Sequence, residues 1–263
     1  MAEYGEGGAE TAAAAELSYS EYLRLPQLLA IQEPLAEPPV HDEMLFVIVH
    51  QAHELWFKQI LCELEVLVDH IMVADWQRAC RTLDRVSVIV KLLVQHIGVL
   101  ETMPAEEFQR FRRVLGSASG MQSDQFKHIE ELSGHVPDDL NASGTEPAGA
   151  RAPSVRQAFL RALASGSELH GAVAANRTEP ERLRSLYRDP RRAAEKGVAD
   201  RLLDFDAQMA HWRARHLELV HSMIGATMGT GGSSGVRYLQ STLHKRFFPE
   251  LWAARQAELE AIP

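Results

Sequence analysis

Three histidines at five-residue spacing, His211, His216 and His221, fall in one stretch, HWRARHLELVHSMIG. Imidazole is the side chain that most often ligates a transition metal or moves a proton near neutral pH. If the stretch is helical, five steps of about 100° leave successive histidines roughly 140° apart, so the three cannot share a face or one bare ion. Only His216 has Trp212, Leu219, Val220 and Met223 at i−4, i+3, i+4 and i+7, which puts it on the apolar stripe. A single histidine there is either a hydrogen-bonded core residue or an axial ligand to a flat, apolar cofactor, and spacing does not separate the two.

His50 and His53 pose the same choice in VHQAHELWF. The run is not H-E-x-x-H, so the zinc-protease motif is excluded. His50 has Phe46 at i−4, Glu54 at i+4 and Phe57 at i+7, which is compatible with a site or with a buried polar pair. Arg112, four residues after Phe108, carries a planar fork suited to a carboxylate, although a lone arginine is also an ordinary surface residue. The stretch GATMGTGGSSGVRYL, 225–239, is rich in glycine, but no lysine follows its glycines as a P-loop requires. Gly229 and Gly231 begin a dinucleotide fingerprint, but its third position is Ser234 and the preceding segment reads as helix. That leaves a linker or a loop that closes over something else.

The elements that must position these residues are helices. From Asp42, a suitable N-cap, apolar residues recur at three and four through Met72. Further helices are expected over about 76–102, 105–115, from 124, and over 155–169, 179–187 and 190–224, the last with a break near Gly197. A short helix near Tyr19 to Leu28 precedes them, and one over 236–245 follows the glycine stretch. No run alternates as a half-buried strand does, so the expected class is all-α, a helical bundle. Residues 1–17 have a disordered composition, 18–263 read as one helical domain, and 135–154 form a Pro/Gly/Ser-rich loop.

Composition narrows the partners. A formal net charge of −9 argues against nucleic acid or an anionic membrane surface. No apolar run is long enough for a membrane span, and the acidic N-terminus has no secretory pattern, so a cytoplasmic location is expected. Cys62 and Cys80 match no metal or redox spacing and read as buried free thiols.

Taken together, YSEYLRLPQLL, HDEMLFVIVHQAHELWFKQI, ETMPAEEFQRFRRVLGSASGMQSDQF, HWRARHLELVHSMIG, GTGGSSGVRYL and FFPELW resemble the tryptophan 2,3-dioxygenase family, haem enzymes that open the indole ring. The resemblance covers most of the chain outside its first residues and 135–200. It implies an all-helical fold, a homotetramer built as a dimer of dimers, and one haem b per subunit. By motif it implies that His216 is the proximal ligand to haem iron and that His50 is the distal histidine facing the indole N–H. Phe46 and Phe126 would wall the indole, Arg112 would take the substrate carboxylate, and Thr230 would meet the amino-acid end. Ser119 and Gly120 would line the pocket, while Tyr19, Tyr22 and Leu23 would come from a neighbouring subunit. The glycine stretch would then be a lid, its glycines permitting close backbone approach.

The implied substrates are L-tryptophan or a derivative and O₂, and the implied product is N-formylkynurenine. Three features depart from the pattern: Met121 where the family has phenylalanine, Ser222 and Thr227 where it has basic residues, and a short middle segment. They keep open a second outcome, insertion of one oxygen atom to give a 2-oxindole.

Overall fold

The computed structural model describes residues 17–135, 152–169, 178–225 and 236–261. Among these every regular element is helical: α1 (Tyr19–Tyr22), α2 (Leu25–Leu28), α3 (His41–Met72), α4 (Trp76–Leu100), α5 (Ala105–Phe111), α6 (Asp124–Ser133), α7 (Val155–Leu169), α8 (Glu179–Arg188), α9 (Ala193–Ile224), α10 (Val236–Thr242) and α11 (Pro249–Glu260). The expected all-α class is what is found. Apart from Leu17, the segment expected to be disordered lies outside the described residues, as do 136–151 of the expected loop and Thr227 and Thr230 of the glycine stretch.

The framework is α3 and α9 packed against α4. Their apolar stripes supply Ile60, Leu64, Leu67 and Ile71 from α3, Leu83, Val86, Val90 and Leu93 from α4, and Leu202, Leu203, Phe205 and Met209 from α9, all essentially inaccessible to solvent. Removing this much apolar surface from water is the main source of stability for helices whose own propensities are unremarkable. Polar ties at the edges fix the register. Arg85 reaches Glu63 at 2.8 Å between α4 and α3, and Arg201 reaches Asp84 at 2.7 Å between α9 and α4. The fully buried Asp206 of α9 accepts from Phe247 N at 3.2 Å and from Trp252 Nε1 at 2.9 Å, which docks the tail and α11.

Several boundaries differ from the sequence expectations. α3 starts one residue earlier, with Val40 rather than Asp42 at its N-cap. The reason lies in the chain before it: the buried Glu43 carboxylate accepts from Leu35 N and Ala36 N at 2.8 and 2.9 Å, so the first turn caps the incoming strap instead of itself. The single short helix expected near the N-terminus is two helical turns separated at Arg24, whose φ is 54°.

No break occurs at Gly197; α9 runs through it, and the glycine faces Cys80, whose Sγ would lie 3.7 Å from an added Cβ. That is an ordinary van der Waals contact, so the packing of α9 on α4 carries the helix through this position whatever the residue. The helix expected over 105–115 tightens at Arg112 into a 3₁₀ turn, Arg112–Leu115. Cys62 is exposed and Cys80 only half-buried, contrary to the reading of both as buried thiols. Among the described residues no single helix is long and apolar enough to cross a membrane.

Candidate active site

α3, α4, α5, α6, α9 and α10 enclose a cavity of about 310 Å³. Phe46, His50, Arg112, Ser119, Gly120, Phe126 and His216 all line it, so residues far apart in sequence and expected to act together do converge. Tyr19, Tyr22 and Leu23 do not line it; they are 75%, 72% and 40% exposed on this chain.

His50 owes its geometry to α3. Its Nδ1–H donates to the Phe46 carbonyl one turn back at 2.7 Å, and its ring lies 4.0 Å from the Phe46 ring. A carbonyl only accepts, so this bond places the proton on Nδ1 and leaves Nε2 as a bare acceptor. His50 is accessible in surface terms because it faces the void, yet protein encloses it on the scale that governs ion solvation. Burial lowers its pKa, opposed by the Phe46 carbonyl and by Glu54, so it is held as neutral imidazole.

His216 enters from α9, whose apolar stripe turns it inward while His211 and His221 remain exposed. The indole of Trp212, one turn earlier, stacks on it at 5.4 Å. Burial, reinforced by His50 and His53, pushes its pKa down to about 4. Its ring makes no hydrogen bond to any described residue. A neutral imidazole in an aromatic wall, with no hydrogen bond to any described residue, is not a satisfied core histidine; its ring lines the cavity as a free nitrogen donor.

Among the described residues no group of three or more His, Cys, Asp or Glu side chains is arranged around a bare ion. One histidine suffices for iron in a porphyrin, whose four nitrogens complete the equatorial set, so the donor chemistry fits haem.

The sign of the pKa shift has a consequence for the ligand-free protein. Between about pH 6.5 and 4 the unfolded His216 is protonated while the folded one is not, so the unfolded state binds more protons. Stability therefore falls as pH drops through that window, with His50 and His53 contributing in the same direction. Thermal melts of haem-free protein should give a lower Tm at pH 5 than at pH 7; an unchanged Tm would count against neutral burial of these imidazoles.

Two aromatic groups divide the cavity wall. Phe46 packs with Phe108 at 5.8 Å and Phe111 at 5.5 Å. Phe126 instead packs with Phe57 at 5.5 Å and Trp212 at 5.1 Å, so it belongs to the wall around His216 rather than beside Phe46. Arg112 sits where α5 gives way to the 3₁₀ turn, which re-aims the chain at the cavity. α5 is tied to α9 by Gln109 Nε2, which donates to the Met223 carbonyl at 2.9 Å.

Of the other cavity residues, Glu130 and Lys245 had no place in the sequence expectations, while His53, Glu54 and Trp212 were noted beside the candidate histidines without an assigned role. His53 is buried, and its Nδ1–H donates to the Val49 carbonyl at 2.9 Å. The i+3 spacing from His50 was its available signal. Glu54 is held by Gln125 Nε2 of α6 at 2.8 Å, a contact across 71 positions that no local pattern announces.

The comparisons with known proteins agree with this architecture. A sequence model of the family described as tryptophan 2,3-dioxygenase matches residues 3–142 and 172–257. A curated relative of that name from Nocardioides sp. is 42% identical over 268 residues, spanning 96% of each chain. Relatives of the same name from Herpetosiphon aurantiacus and Anaeromyxobacter dehalogenans are 38% and 39% identical, covering 91% and 94% of this chain and 97% and 98% of their own lengths. With both long matched blocks carrying the helices that build the cavity, the chain belongs to the tryptophan 2,3-dioxygenase family.

Proposed function

We propose that this protein is a haem-dependent oxidoreductase that opens the indole ring of L-tryptophan with O₂, giving N-formylkynurenine. The observation that carries the reading is a neutral His216, with no hydrogen bond to any described residue, and a neutral His50 facing one aromatic cavity, in a chain of this family. A haem held by His216 would supply O₂ binding and activation, chemistry that no side chain provides.

The chain's own residues bind and orient the substrate. Nε2 of His50 accepts the indole N–H, because Nδ1 is already committed to Phe46. The indole N–H is a very weak acid, so His50 serves as a hydrogen-bond acceptor that sets ring position rather than as a full base. Phe46 walls the indole beside His50, and Phe126 walls the cavity from the His216 side. Arg112 takes the α-carboxylate, with Ser119 and Gly120 completing that wall. Thr230, in the glycine stretch outside the described residues, would meet the amino-acid end. α9 ends as that stretch begins, at Gly225, whose φ of 57° favours glycine. Holding the reacting carbons in one orientation in a dry pocket is the protein's share of the rate.

The exposed Tyr19, Tyr22 and Leu23 suit a role against a neighbouring subunit, and we extend the proposal to a homotetramer, a dimer of dimers that exchanges this segment, in the cytoplasm. Nothing favours the one-oxygen alternative: of the departures that raised it, Ser222 simply donates to the Leu219 carbonyl at 2.7 Å.

Oxygen labelling tests the reaction. With ¹⁸O₂ and L-tryptophan, and prompt quenching to limit exchange with water, both atoms are expected in the ring-opened product without a stoichiometric reductant. A closed-ring product carrying one labelled atom, formed only with added reductant, would overturn ring opening and leave the haem site intact.

A further inference from the structure

Arg112 is placed by what holds α5. Two hydrogen-bonded ties join the segment containing α5 to α9, and both link residues 114 positions apart. Arg215 Nη2 donates to both carboxylate oxygens of Glu101 at 2.6 Å, and Gln109 Nε2 donates to the Met223 carbonyl at 2.9 Å. The equal offset means that residues 101–109 run alongside α9 in one parallel register, over about 12 Å of that helix.

The second tie has a definite cause. The last carbonyls of a helix have no donor within it, and Met223 is one residue from the end of α9. Gln109 supplies the donor from α5. On its other side α5 is held by Phe108 and Phe111, which are buried against Phe46 of α3. Apolar packing is non-directional, so these rings fix how near α5 lies. The Gln109 bond is directional and restrains the roll of α5 about its own axis. Arg112 follows Gln109 by three residues, on a neighbouring face, and lines the cavity together with Met223. A roll of α5 therefore shifts Arg112 against the amino-acid end of the substrate, where a misplacement of about 1 Å weakens a positioning contact sharply.

We propose that Gln109 is a positioning residue that sets selectivity for the substrate carboxylate by holding Arg112 in place. The inference rests on the Arg112 reading and deepens it. Gln109 does not line the cavity and is exposed, so its replacement leaves the helical core untouched. Methionine at this position keeps the length of the side chain and removes the donor.

The test is a double-substitution cycle on the haem-loaded, full-length protein. It reads the Kd of L-tryptophan and of tryptamine from perturbation of the haem spectrum. Gln109→Met is expected to weaken tryptophan by roughly three- to tenfold, as for loss of one neutral hydrogen bond, and to leave tryptamine within about twofold of wild type. In an Arg112→Leu background the same substitution should have no further effect on tryptophan, because the group it positions is gone. Equal weakening of both ligands, or an undiminished effect in the Arg112→Leu background, would overturn positioning through Arg112, since a structural role predicts those patterns. An intact preference for tryptophan in Gln109→Met would overturn it too. Equal binding of both ligands by the wild type would instead overturn the Arg112 reading on which the proposal rests.

Discussion

A His216→Ala chain is expected to purify with little or no haem. The ring is neutral, faces the cavity and has no hydrogen bond to any described residue, so its removal takes away a donor without breaking a network. Residues that merely orient a metal ligand cost about 10–100-fold in affinity when replaced, and loss of the ligand itself should exceed that. The measurement is haem per chain, from the absorbance of the pyridine adduct, together with the Soret spectrum. Far-ultraviolet circular dichroism should stay at the wild-type level, because the side chain lines a void and is not part of the α3–α4–α9 core. Added imidazole should restore part of the histidine-ligated spectrum. Full haem content with an unchanged spectrum would refute ligation by His216. It would turn attention to His53, the other buried imidazole on the cavity wall, whose Nδ1 is already committed to Val49.

Arg112→Leu should leave haem content near wild type and weaken tryptophan binding by roughly one to two orders of magnitude. A hydrogen bond to a charged group contributes about 1.5–3 kcal/mol, and a carboxylate left facing leucine also loses its hydration without compensation. The effect should appear in the Kd of L-tryptophan, followed by perturbation of the haem spectrum. Tryptamine, which lacks the carboxylate, is the control ligand. It should bind the wild type weakly and respond little to the substitution. If tryptamine and tryptophan bind the wild type equally, Arg112 does not clamp a carboxylate.

Much of the fold was legible in the chain because helical periodicity records which face of each segment is apolar. The long helices lie close to where three-and-four spacing puts them. The same spacing separated His216 from His211 and His221, and the latter two are indeed exposed. Local reasoning failed where a tertiary contact outweighed a local preference. Asp42 is a good N-cap residue, yet Glu43 uses the start of α3 to hold Leu35 and Ala36. Gly197 would weaken an isolated helix, but the packing of α9 on α4 outweighs that cost, so the helix continues.

For the candidate site, the sequence by itself determined that a helical protein presents single histidines on apolar faces near aromatic residues, together with an arginine able to bind a carboxylate. It also determined the family, because several long motifs occur in order. Only the tertiary structure decided which of these faces meet. Periodicity names a helix's inward side but not its partner, and the partner is chosen by how α3, α4 and α9 pack. That packing closes His50, His53 and His216 around one cavity and separates Phe126 from Phe46. It also brings Glu130, Arg213 and Lys245 together from three distant segments. Charges so far apart in sequence carry no local pattern; desolvation and pairing act on them only once the chain has folded.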